Sequence, residues 1–120
     1  MARILVVDDS PSLRQMLQII LQNSGHEVIC AEDGKQAIET VSEVQFDLIL
    51  SDFNMPHLTG PEFISRLRQL PQYRFIPVIL LTTETDEDKK QLGRDAGASG
   101  WLKKPFDPEQ LVVTVNSLLN

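Results

Sequence analysis

The chain has 120 residues, 42% apolar and 23% charged, with 11 Lys and Arg against 17 Asp and Glu for a formal charge of −6. That length suits one domain, 1–120, whose core needs neither disulfide nor structural metal, and the single cysteine, Cys30, has no partner for an internal bridge. An acidic surface argues against broad nucleic-acid or anionic-membrane binding, and no apolar run approaches the roughly 18 residues of a membrane span.

Met1-Ala2-Arg3 leads straight into an apolar run, so no signal peptide is expected and a cytoplasmic location fits. Ile4–Val7 is short and continuous, the pattern of a strand covered on both faces. Asp9 or Ser10 can cap the following helix, with Pro11 near its first turn. Leu13, Met16, Leu17, Ile20 and Leu21 give that helix a core-facing stripe, and Gly25 stops it. Val28–Ala31 is the second predicted strand, Asp33-Gly34 a turn, and Ala37, Ile38 and Val41 mark a shorter helix. Phe46–Asp52 is the third strand. A loop over 53–60 follows, and Pro61 opens a helix with Phe63, Ile64, Leu67 and Leu70 on one face.

Ile76–Leu81 is the fourth strand, Asp86–Ala96 the fourth helix ended by Gly97, and Gly100–Lys103 the fifth strand. Asp107-Pro108-Glu109-Gln110 reads as an N-cap, a first-turn proline and a capping-box glutamine. The last helix then turns Leu111, Val112, Val115, Leu118 and Leu119 inward. Five β–α units without linker or repeat predict an α/β fold: a (βα)5 doubly wound parallel sheet. The flavodoxin-like strand order 2-1-3-4-5 puts the switch point between the first and third strands.

The strand ends carry the chemistry. The first runs into Asp8 and Asp9, the third into Asp52, the fourth into Thr82 and the fifth into Lys104. In such a sheet these residues share the edge where ligands bind. Three converging carboxylates repel one another unless one is neutralised or a cation holds them. Oxygen donors without neighbouring Cys or His suit a hard ion, Mg²⁺ foremost, which takes one or two carboxylates together with phosphate oxygens. A remaining carboxylate beside a metal and an ammonium is a reasonable nucleophile toward phosphorus, and its product is an acyl phosphate.

Asp8-Asp9, Asp52 with its Asn-Met-Pro-x-x-x-Gly continuation, Leu81-Thr82 and Lys104-Pro105-Phe106 together resemble the response-regulator receiver domain, in its single-domain chemotaxis (CheY-like) class. The resemblance implies that Asp52 accepts a phosphoryl group from a phosphohistidine of a histidine kinase. It implies Mg²⁺ on Asp9, Asp52 and the Asn54 backbone carbonyl, with Asp8 acting largely through water. Lys104 would pair with the phosphoryl group and precede a cis Lys104–Pro105 bond. Thr82 and Trp101 would act as switch residues, and Asn54 and Glu84 would modulate dephosphorylation. Thr83 and Trp101 depart from the commoner residues of the family. A larger ring needs more room and a partner for its indole N–H.

The output implied is protein binding on the face of the fourth helix, fifth strand and fifth helix, with the flagellar motor switch as one such target. The chain would be a monomer and no enzyme beyond its own phosphorylation and dephosphorylation. Lys89, Lys90, Arg94 and Lys103 could form a basic docking edge there. His26 and His57 have no matching ligand partner. A receiver cut from a longer kinase or transcription factor is the main alternative. A haloacid-dehalogenase-like phosphatase would need a second Asp where Asn54 stands, and a flavin module would need a less acidic first loop.

Overall fold

The computed structural model describes residues 2–83 and 87–119. In chain order the elements are β1 (Arg3–Val7), α1 (Pro11–Asn23), β2 (Glu27–Ala31), α2 (Gly34–Glu43) and β3 (Leu48–Asp52). They continue with α3 (Gly60–Arg68), a 3₁₀ turn (Pro71–Tyr73), β4 (Val78–Thr82), α4 (Glu87–Ala96), β5 (Gly100–Lys103) and α5 (Pro108–Leu119). The strands form one parallel sheet, as the alternation of apolar runs predicts, in the expected flavodoxin-like order β2-β1-β3-β4-β5. The expected start of the fourth helix at Asp86 lies outside the described residues.

Strand periodicity divides the core in two. Leu5, Val7, Ile49, Val78 and Leu80 face one side, where α2 and α3 cover them with Ala37, Val41, Phe63, Ile64 and Leu67. Ile4, Val6, Leu48, Leu50, Ile79 and Leu81 face the other, under Leu17 and Leu21 of α1 and Leu111 and Val115 of α5. Both faces of the central strands are therefore dry, which is why those strands read as unbroken apolar runs.

Helix starts follow local chemistry. Ser10 caps α1 by accepting from the Leu13 N–H, and Asp33 caps α2 by accepting from the Gln36 N–H. The expected Asp33-Gly34 turn is thus the first step of a helix. Thr59 and Glu62 form a reciprocal capping box at α3, a signal present in the sequence but not read from it. At α5 the Asp107 carboxylate accepts from the Glu109 N–H.

Two strands begin later than their apolar runs. The Phe46 N–H donates to the buried Tyr73 hydroxyl, so it is taken before it can join the ladder, and β3 opens at Leu48. Pro77 has no N–H to give, and β4 opens at Val78 and extends through Thr82. Tyr73 itself was not anticipated as core. Its hydroxyl donates toward the Val41 and Val44 carbonyls, tying the end of α2 to the start of β3.

Candidate functional site

Register sets the height of each functional side chain. Val7 lies beside Ser51, Asp52 beside Leu81, and Thr82 beside Lys103, so the C-terminal tips of β1, β3, β4 and β5 end at one level. Asp8 continues the parity of Ile4 and Val6, and Asp52 that of Leu48 and Leu50, so both emerge on the α1/α5 side of the edge. Carboxylate oxygens of Asp8, Asp9 and Asp52 lie within 4.8 Å of one another.

Lys104 comes from the far edge of the sheet and reaches across the end of β4. Its Nζ donates to Asp8 Oδ2 and Asp52 Oδ1, both at 3.1 Å. The backbone under it is fixed: the Lys104 N–H donates to the Thr82 carbonyl at 2.8 Å, and the Lys104–Pro105 peptide is cis. Asp8 is almost fully enclosed (1% exposed), with Oδ1 accepting from the Ser10 N–H. The Asp8 carbonyl also accepts from Arg14 Nη1 at 2.6 Å, a brace from the first turns of α1 that the sequence reading missed. An Arg four residues after a predicted cap was its only trace.

Asp52 is buried at 8% exposure and Asp9 is exposed, giving the acidic cluster one open member. Burial first, and the neighbouring Asp8 charge second, push the Asp52 carboxyl above the ordinary carboxylate range against the pull of Lys104. Burial alone would lower the Lys104 ammonium. Its bonds to Asp52 and Asp8 outweigh that and hold it above the usual lysine value. One ammonium is too little for three carboxylates, so the site favours a second positive charge.

The loop beyond Asp52 is held closely. The Phe53 N–H donates to the Leu81 carbonyl, and the Gly60 N–H to the Phe53 carbonyl. A Cβ at Gly60 would stand 2.6 Å from the Asp52 carbonyl oxygen, so this glycine is what lets α3 begin directly against the strand. Asn54 sits exposed on that loop, two residues past Asp52. Thr82 is buried at the β4 tip and Thr83 is exposed beside it. Glu84 lies outside the described residues.

Trp101 is half-buried on β5, against the core that α2 and α3 cover. Its indole N–H is buried and has no hydrogen-bond partner among the described residues. Arg94 stands over its ring and Lys89 over Phe53, so these cations of α4 are engaged with aromatic faces. His26 has a structural role: Nδ1 accepts from the Ala2 N–H, and Nε2 pairs with Asn116 Oδ1.

Chemically, the all-oxygen cluster fits a hard divalent cation through Asp9 and Asp52, with Asp8 behind them. Among the described residues no Cys or His joins that cluster. A carboxylate, a metal-competent acid pair, an ammonium and a hydroxyl at one edge make a site for phosphoryl chemistry.

Comparison with known proteins agrees in fold and family. Residues 4–116 match the family described as response regulator receiver domain. The chain is 49% identical to the chemotaxis response regulator CheY4 of Vibrio cholerae, with a TM-score of 0.95 and 98% of both chains covered. It is 39% identical to the protein PilH of Pseudomonas aeruginosa, covering 99% of this chain and 98% of PilH. It is 40% identical to the DNA-binding response regulator MtrA of Mycolicibacterium smegmatis, covering 98% of this chain but only 50% of MtrA. The chain thus spans about half the length of several relatives it matches.

Proposed function

The chain belongs to the response-regulator receiver family, and from that premise we propose that Asp52 is its phosphoacceptor, charged by a phosphohistidine of a histidine kinase. Receiver domains are phosphoacceptor signalling modules that interact with histidine kinases and downstream targets and bind Mg²⁺ at an acidic pocket. The observation that carries the reading is the meeting of three carboxylates within 4.8 Å, two of which, Asp8 and Asp52, share the Lys104 ammonium.

In this reading an Asp52 oxygen attacks phosphorus, the P–N bond of the donor breaks, and the imidazole leaves as the acyl phosphate forms. Asp9 and Asp52, with the Asn54 carbonyl and with Asp8 through water, would hold Mg²⁺, whose charge would offset that on the phosphoryl oxygens. Lys104 exchanges its bond to Asp52 Oδ1 for one to a phosphoryl oxygen and keeps Asp8. The Thr82 hydroxyl, at the neighbouring strand tip, takes another. Asn54 and Glu84 orient the water that later hydrolyses the acyl phosphate. Thr82 and Trp101 pass the change to the face of α4, β5 and α5, where a downstream protein binds.

The whole of 1–120 acts as one such domain, a cytoplasmic monomer whose output is chemotaxis or motor control. The likeness to CheY4 over nearly its full length supports this. The half-length match to MtrA supports a second reading, a receiver that works within a longer regulator. Isolation from the native cell separates the two by the mass of the chain that carries Asp52.

The test is incubation with acetyl phosphate and Mg²⁺, followed by mass spectrometry. One phosphoryl group is expected on Asp52, labile to hydroxylamine, abolished by EDTA and by Asp52→Asn. Labelling elsewhere, or labelling indifferent to Mg²⁺, would overturn the assignment.

A further inference from the structure

Gly93 lies inside α4, where glycine is the weakest helix former after proline. Its backbone does not demand glycine: the positive-φ glycines among the described residues are Gly25 and Gly97. What distinguishes Gly93 is a close approach. A Cβ there would stand 3.1 Å from both Cζ2 and Nε1 of Trp101 and 2.9 Å from Leu80 Cδ1. The indole therefore rests on bare helix backbone, beside Leu80 of the adjacent strand. The Arg94 guanidinium, one residue along, stands 5.5 Å from the ring centroid. The ring is seated by shape and by a cation over its face, and its N–H finds no acceptor in that seat.

We propose that Gly93 is a positioning residue: α4 leaves out a side chain there to seat the Trp101 indole, so that ring and helix shift together when the site at Asp52 is loaded. The seat stands on packing alone, while its link to loading rests on the receiver reading above. A missing hydrogen bond makes the seat releasable. Leaving it forfeits contact area but gives the indole N–H to water, so a modest rearrangement at the strand tips can tip the balance. A smaller ring on β5 would not need the glycine, and alanine would serve α4 better.

A double-mutant cycle tests the seat without any phosphoryl chemistry. Gly93→Ala should lower the melting midpoint of the wild type. It should leave the midpoint unchanged or raise it in a Trp101→Phe background, where alanine improves the helix and the Leu80 methyl has room to turn. An equal loss in both backgrounds would overturn the proposal.

Trp101 is the sole tryptophan, so fluorescence reads the coupling. Gly93→Ala should red-shift emission and increase acrylamide quenching. Beryllofluoride with Mg²⁺ should change wild-type emission and leave that of Gly93→Ala unchanged, with ¹⁹F resonances showing both proteins loaded. Loaded wild type with unaltered emission would refute the coupling and spare the receiver reading. Absence of bound fluoride in the wild type would instead refute that reading, and the melting cycle would still decide the seat.

Discussion

Asp52→Asn should make the metal-free protein more stable while destroying its proposed activity. The side chain keeps its volume, but one of three crowded charges goes. With oxygens within 4.8 Å, the buried Asp8–Asp52 pair repels by about 3.5 kcal/mol at an effective dielectric constant near 20. Losing Asp52 removes that amount with buried Asp8 and a smaller, solvent-screened share with exposed Asp9. Against this, the 3.1 Å contact to Lys104 is worth about 5 kcal/mol on the same scale. The Coulomb terms nearly cancel, and the relieved desolvation of a carboxylate at 8% exposure decides the sign. A net gain of about 1–2 kcal/mol follows, or about 4–8 °C in Tm for a domain this size.

The pH dependence has a definite sign. Asp52 titrates higher in the folded chain than its ordinary value of 3.8, so ionising it costs stability. That cost is full above the raised folded value and vanishes below the ordinary one. The advantage of Asp52→Asn should therefore be present at neutral pH and fade as the medium is acidified toward 3.8. Mg²⁺ that binds only the folded state should raise the wild-type Tm and narrow the gap. Thermal melts by circular dichroism in EDTA and in Mg²⁺ measure all of this. An Asp52→Asn protein melting at or below wild type in EDTA at neutral pH would refute the electrostatic argument.

Lys104→Met should destabilise the metal-free protein at neutral pH by about 3 kcal/mol, because buried Asp8 and Asp52 lose their shared cation. The Lys104 contribution is full below the ordinary lysine value and lost as pH climbs through its raised folded value, so alkaline melts of wild type and variant should converge. Tyr73→Phe leaves the Val41 and Val44 carbonyls and the Phe46 N–H without their hydroxyl partner. It should cost about 1–3 kcal/mol in urea unfolding and leave acetyl phosphate labelling of Asp52 unchanged, since this network lies at the start of β3 rather than at its tip.

Much was legible in the sequence because its signals are local. Apolar runs such as Ile4–Val7 and Val78–Leu81, each buried on both faces, announce parallel strands, and caps such as Ser10 and Asp107 announce the helices between them. The element order then left little choice of sheet, and Asp8, Asp9, Asp52, Thr82 and Lys104 fell at its strand tips by counting alone.

Contacts between distant segments were a different matter. Tyr73 fell between predicted elements with no role assigned until its hydroxyl met three backbone groups near positions 41–46, and Arg14 gave no hint that it braces Asp8. Gly93 lay within the predicted fourth helix with nothing to single it out until an indole from β5 was placed against it. The division has a physical basis: strand and helix periods are written residue by residue along the chain. Which side chain fills a given space, and which charge prevails over its neighbours, depends on distances that exist only after the sheet has closed.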